Sequence, residues 1–183
     1  MKLTRVLPTS LTLRVVAVNA LVALIAFGGI TSSKTLAGSS SESPPAPAFE
    51  LPLIANAEGI LSLEALKGSV TYLDFWASWC GPCRLSLPAL DALYQELGGQ
   101  GLKVVAVSVD VVEEDALDFL ARYPVSYPVV IDTEGTVPER YDVNGMPSGY
   151  LIDREGKVRA VHVGFKRGDE VALRQEISAL LAE

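Results

Sequence analysis

The chain is poor in the residue types that hold most metal centres and staple most small secreted domains. Its 183 residues include two cysteines, Cys80 and Cys83, one histidine, His162, and two methionines, Met1 and Met146. Structural zinc takes four ligands from Cys and His, so this inventory argues against a closed zinc site, and no metal ligand set is assigned. Basic residues are scarce too: 15 Lys and Arg stand against 22 Asp and Glu, for a net charge of −7. Before Gly38 the only charged residues are Lys2, Arg5, Arg14 and Lys34, so the remainder is more acidic still. Such a body lacks the clustered Lys and Arg that phosphate neutralisation needs, which argues against nucleic acid as a partner. A glycine-rich nicotinamide or flavin fingerprint is also missing, so no cofactor is expected.

What is present begins with an export pattern. Three basic residues precede "VVAVNALVALIAFGGI" at 15–30, a run that as a helix reaches roughly 24 Å against a hydrocarbon core of about 30 Å. Extension back to Leu11 lengthens it, with Arg14 snorkelling to the surface. "TLAG" at 35–38 supplies small residues for cleavage after Ala37, as a signal peptidase requires. Residues 1–37 therefore read either as a cleaved signal peptide or as an anchor through residues 11–30. In both cases the basic bias leaves the body outside the cytoplasm, in the periplasm or on the outer face of a bacterial inner membrane. Cysteine is absent near the run, so no lipoprotein acceptor is available. "GSSSESPPAPA", 38–48, is a Ser/Pro-rich linker, and residues 49–183 carry the globular pattern of one monomeric domain.

Within that domain "AFELPLI" and "GILSL" flank a turn-like "ANAEG" and predict a hairpin. "SVTYLDFWA", 69–77, is β-rich and mostly apolar, as a strand buried on both faces should be. Leu85, Leu87, Leu90, Leu93 and Leu97 recur at helical spacing, and "GGQG", 98–101, closes that helix. "LKVVAVSV" is a second buried strand. "EEDALDFLARY" is a helix with acids in its first turn and Arg122 near its end, matching the helix dipole. "YPVVID" is a short strand and "TEGTVPERYDV" an irregular or one-turn helical insertion. "SGYLID" and "KVRAVHVG" flank the turn "REGK", and "DEVALRQEISALLAE" is a closing amphipathic helix. The order β-α-β-α-β, insertion, β-β-α predicts an α/β fold: a central mixed sheet with helices on both faces.

Both cysteines lie in "WASWCGPC", 76–83. As a structural staple the pair is weak, because so small a loop yields only about 2 kcal/mol on the chain-entropy estimate and joins no two elements. Thiolates do select Cu(I), so a copper-handling protein using Cys80, Cys83 and Met146 or His162 is a rival class. The lone His162, in an alternating strand, reads more simply as an ordinary strand residue. The redox reading has a reason at each position. Cys80 sits where a strand ends and a helix opens, so unsatisfied N–H groups and the dipole stabilise its thiolate. Gly81 permits the tight turn, and Pro82, without an N–H, fits a first-turn position. Cys80 is then the exposed attacker and Cys83 the resolving thiol behind it.

"DFWASWCGPC" resembles the thioredoxin superfamily. With "YDVNGMPSGYLIDREGKV" and "VGFKRGDE", the chain from Phe49 onward is similar to the exported TlpA/ResA-type thiol:disulfide oxidoreductases. That resemblance implies a thioredoxin fold with an N-terminal hairpin and a central insertion. It implies Cys80 as nucleophile, Cys83 as resolver and Cys80–Cys83 as the redox-active disulfide. Pro147 matches the superfamily's cis proline facing the pair. Met146 and Pro147, with Trp79, Gly81 and Pro82, would form the surface on which substrate lies, and Pro88 matches its helix-kinking proline. Asp74 matches a buried carboxylate that takes and returns the Cys83 proton, whereas Ser86 stands where ResA-type proteins tend to carry Glu. The latter departure weakens a specific tie to cytochrome c maturation.

Gly-Pro between the cysteines, together with Asp74, resembles the reducing end of a scale running from about −270 mV for thioredoxin to about −120 mV for DsbA. The resemblance thus implies a reductase for disulfide-containing exported client proteins, fed by a membrane thiol-reductase as electron donor. A peroxiredoxin shares this fold, but Leu73 and Ala77 occupy the Pro and Thr positions of the framing P-x-x-x-T-x-x-C.

Overall fold

The computed structural model describes residues 43–183; the segment read as signal or anchor, and residues 38–42 of the linker, lie outside the described residues. Seven strands form one sheet in the order β2-β1-β5-β4-β3-β6-β7: β1 Glu50–Ala55, β2 Ile60–Ser62, β3 Val70–Trp76, β4 Leu102–Ser108, β5 Val129–Ile131, β6 Ser148–Ile152 and β7 Val158–Val163. The helices are α1 Cys83–Leu97, α2 Glu113–Arg122, α3 Thr136–Arg140 and α4 Asp169–Leu181. β3, β4 and β5 run parallel at the centre, joined through helical crossovers as parallel strands must be. β1, β6 and β7 add antiparallel pairs on the two sides. The sheet is mixed, and the expected hairpins β1–β2 and β6–β7 are both formed.

Every residue of β3 is buried, and strand alternation divides its side chains between two cores. Tyr72 and Trp76 join Cys83, Leu87, Leu90, Leu93 and Leu97 of α1, Phe119 of α2, and Leu173 and Ile177 of α4. Leu73 and Phe75 join Val137 of α3, Tyr141 and Tyr150. Helices thus cover both faces, three on the Tyr72 side and the short α3 on the other. One leucine departs from the periodic reading: Leu85 is 44% exposed. It lies in the first turn of α1, on the side turned away from the face that carries Leu87 and Leu90.

α1 continues through Pro88, which withholds the N–H that would bond four residues back. Past a short 3-10 turn, Gly101 adopts φ +106°, a left-handed value suited to glycine, and leads directly into β4. The linker's end has backbone partners: Ala46 donates to the Gly156 carbonyl and the Val158 N–H donates to Pro44, both at 2.8 Å. Among the described residues no helix is long and apolar enough to cross a membrane.

Candidate active site

The parallel register pairs Trp76 with Ser108, so β3 and β4 end side by side at one edge of the sheet. There β3 gives way to the segment holding the cysteines. Cys80 and Cys83 are disulfide-bonded with Cα atoms 5.4 Å apart. The Cys83 N–H donates to Cys80 Sγ at 3.2 Å, so a helix-terminal donor does meet the first sulfur, as a stabilised thiolate requires. Two sequence expectations need correction. Pro82 stands at the N-cap of α1 rather than inside its first turn, its carbonyl accepting the N–H groups of Leu85 and Ser86. Cys80 is not exposed: it is 3% accessible and Cys83 is fully buried. The ring closed by the disulfide turns Cys80 Sγ inward over the helix start, and the exposed flank is made by Trp79, at 69%, with Gly81 and Pro82.

The loop before Cys80 is held by a residue that sequence reasoning missed. Asp110, just beyond β4 and buried, accepts the Ser78 N–H at 2.9 Å, the Ser78 hydroxyl at 2.7 Å and the Ser108 hydroxyl at 2.9 Å. Val109 donates to the Trp76 carbonyl at 3.0 Å, extending the β3–β4 ladder to this point. The only trace in the sequence is the polar "S-V-D" ending an apolar strand. That pattern matters only because the register brings Asp110 beside Ser78.

Pro147 follows a cis Met146–Pro147 peptide bond. Phe75 pairs with Ser148, so the antiparallel register carries Pro147 alongside the end of β3, at the same sheet edge as the cysteine loop. Ser148 Oγ donates to the Gly145 carbonyl at 2.7 Å, and the Gly164 N–H to the Pro147 carbonyl at 2.8 Å. Pro147 is buried and Met146 half-buried against both cores. The same edge of the sheet thus brings together Trp79, the disulfide and the Met146–Pro147 turn.

Asp74 lies in the middle of β3, 2% exposed, rather than at a solvated sheet end. Alternation puts it on the face of Tyr72 and Trp76, the one that packs on α1 and Cys83. Its cross-strand neighbours are Ala106 and Gly149, neither with a side chain that could pair a carboxylate. Asp74 Oδ2 is buried without a hydrogen bond, as are Ser86 Oγ and Trp76 Nε1. Burial therefore pushes the Asp74 carboxyl well above its ordinary value of 3.8, because desolvation penalises the charged form. The hydroxyls of Tyr72 and Tyr127 are raised by their own burial and next by the Asp74 charge. His162, on β7, is half-buried and its Nε2 lies 2.9 Å from a Glu176 carboxylate oxygen. Among the described residues no group of three or more His, Cys, Asp or Glu side chains could hold a metal ion.

A CxxC disulfide at a strand-to-helix junction, beside a cis-proline turn and above a buried carboxylate, defines a thioredoxin-fold protein built for disulfide exchange. The chain belongs to the AhpC/TSA family, whose model matches residues 43–161. It is 38% identical over 146 residues to the thiol-disulfide oxidoreductase ResA of Bacillus subtilis, covering 79% of this chain and 80% of that one. Among solved structures it is similar to a protein provisionally assigned as the thiol:disulfide interchange protein DsbE of Chlorobium tepidum. That match has a TM-score of 0.73 and 46% identity, over 76% of this chain and 96% of the other. A Bacteroides thetaiotaomicron protein provisionally assigned as a disulfide isomerase matches with a TM-score of 0.70 and 27% identity, over 77% and 90%. The chain is a thioredoxin-like thiol:disulfide oxidoreductase that exchanges with disulfide-bearing substrates.

Proposed function

We propose that the protein works in the reducing direction, on disulfides of proteins outside the cytoplasm. The observation that carries this reading is Asp74, buried and unpaired on the face that packs on Cys83. In the reduced protein the Cys80 thiolate attacks a client disulfide, forming a mixed disulfide and releasing one client thiolate. Cys83 passes its proton to the Asp74 carboxylate and attacks Cys80 Sγ. The second client thiolate leaves and takes its proton from solvent, and Cys80–Cys83 is oxidised by two electrons. A carboxyl whose pKa is raised by burial takes up that proton from Cys83 more readily than an ordinary one. Trp79, Gly81, Pro82, Met146 and Pro147 form the surface on which the client chain rests.

The basic-then-apolar pattern of residues 1–37 supports placement in the periplasm or on the outer face of the inner membrane, as a cleaved or an anchored domain. A reductant there must be recharged, and the chain carries no cofactor fingerprint, so a membrane thiol-reductase supplies the electrons. Equilibrium titration of the purified protein against dithiothreitol and glutathione tests the direction. A potential well below about −180 mV, the isomerase range, is expected; one above it would sink the reductive reading.

A further inference from the structure

Across three neighbouring strands the register sets Asp74 opposite Gly149, and Gly149 opposite His162. Directly paired residues share a face, so a carboxylate and an imidazole flank a position that has no side chain. The hydroxyl of Tyr72 fills that vacancy: a Cβ built on Gly149 would fall 1.9 Å from Tyr72 Oη. The Tyr72 and His162 rings lie 5.9 Å apart between centroids. His162 Nε2 faces Glu176, while His162 Nδ1 is buried without a hydrogen bond, as Asp74 Oδ2 is. A cavity of about 220 Å³, lined by Tyr72, His162, Phe165, Asp169, Leu173 and Glu176, adjoins this row and has room for several waters. Glu176 itself reaches solvent, with 45% of its side chain exposed.

We propose that Tyr72, His162 and Glu176 form a proton route between Asp74 and solvent, entering beside β7 and α4 rather than past the docked client. The inference rests on the assignment of Asp74 as the group that takes the Cys83 proton. When Asp74 is protonated, its proton passes by way of a bridging water to Tyr72 Oη as Tyr72 passes its own through a cavity water to His162 Nδ1, since neither pair is directly hydrogen-bonded. His162 then releases its Nε2 proton through Glu176 to solvent, which leaves Asp74 as the carboxylate and the imidazole as its Nδ1–H tautomer, reset by proton exchange with cavity water. The Glu176 carboxylate selects the His162 tautomer with the proton on Nε2, leaving Nδ1 as the acceptor. The charged and titratable groups facing His162 are Glu176 and Asp169 from α4 and Tyr72 and Asp74 from β3; β6 contributes only Gly149. Both Asp74 and Glu176 act on Tyr72, each raising its pKa after burial has done so, which supports a hydroxyl standing between two carboxylates. Such a side route has a functional reason: a docked client covers the cysteine edge at the moment the proton must move.

The test follows decay of the mixed disulfide with a disulfide-bonded peptide, by rapid acid quench and mass spectrometry, in dilute and in concentrated imidazole buffer. Y72F removes only the hydroxyl and is expected to slow decay about tenfold in dilute buffer, within the range of general acid–base effects. Concentrated imidazole, small enough to enter the cavity, should restore the rate; H162Q should behave alike, and D74N should be slow in both buffers. Wild-type rates for Y72F and H162Q in dilute buffer would overturn the route, as would slow rates that imidazole does not restore. D74N as fast as wild type would remove the Asp74 assignment itself. A slow D74N beside an unaffected Y72F would keep that assignment and remove only the route. Should Y72F melt early, H162Q under the same two buffers decides.

Discussion

Asp110 accepts both the backbone N–H and the hydroxyl of Ser78, at 2.9 and 2.7 Å. A buried carboxylate at the end of β4 thereby fixes the chain two residues before the reactive sulfur. Charge-assisted bonds of this kind are shorter and stronger than neutral ones, and here they replace the ladder that the end of β3 no longer provides.

Replacing Asp110 by Ala leaves the Ser78 donors and the Ser108 hydroxyl without their acceptor. The expected loss is about 2–3 kcal/mol of stability, measured by urea unfolding. Reaction of the reduced pair with a disulfide peptide should also slow, because the Cys80 loop loses its fixed point. An unchanged midpoint and an unchanged rate would show that the loop is held by other means.

Asp74 makes stability depend on pH in a defined direction. Its folded-state pKa is raised above the ordinary 3.8, so its contribution is fully present below that value. It is lost as pH rises toward the folded pKa, by up to about 1.4 kcal/mol per unit. Asp74→Asn carries no such charge, so the variant should gain on wild type as pH rises from about 4 and level off above the folded pKa. Parallel stability curves for the two proteins would show that Asp74 is not desolvated in solution.

The two cysteines should separate by role. Cys83→Ala keeps the nucleophile and is expected to accumulate a mixed disulfide on Cys80 with a disulfide-bonded peptide, visible by mass spectrometry and reversed by dithiothreitol. Cys80→Ala should form none at a comparable rate, since Cys83 is fully buried. Equal adduct formation by both variants would contradict the order of attack.

Gly149 is held to glycine by packing rather than by backbone angle. A methyl there would meet Tyr72 Oη, Cζ and Cε1 at 1.9, 2.3 and 2.7 Å, so Gly149→Ala should cost at least about 1–3 kcal/mol as overpacking. Combining it with Tyr72→Leu should cost less than the two single changes together, the coupling expected of side chains competing for one space. Strict additivity in that cycle would mean that the ring moves aside freely.

Much of this architecture was legible in local patterns, because the features concerned are local. The continuous apolar run of β3, the leucines of α1 and the "REGK" turn each declare their element within a dozen residues. The cysteine motif is equally compact. What escaped depends on pairing between distant segments. Asp110 becomes a loop anchor only through the β3–β4 register. Asp74, Gly149 and His162 form a row, with the Tyr72 hydroxyl in its gap, only through two antiparallel registers spanning some ninety residues. Leu85 misled because helical spacing does not say which end of an apolar stripe has run past its partner, and Cys80 because a place on a turn does not fix the direction of a side chain.

The inward turn of Cys80 has a consequence for which sulfurs can reach it. A sulfur attacked in exchange must be reached by the incoming sulfur, so access governs rate as much as acidity does. With 3% of Cys80 accessible, the couple is insulated. A thiol that merely collides with the surface finds Trp79, Gly81 and Pro82, while on the proposed docking surface a protein seated against them and the Met146–Pro147 turn would be brought to the bond. The fold works like a shuttered contact, closing the circuit for partners that dock and suppressing leakage to those that do not.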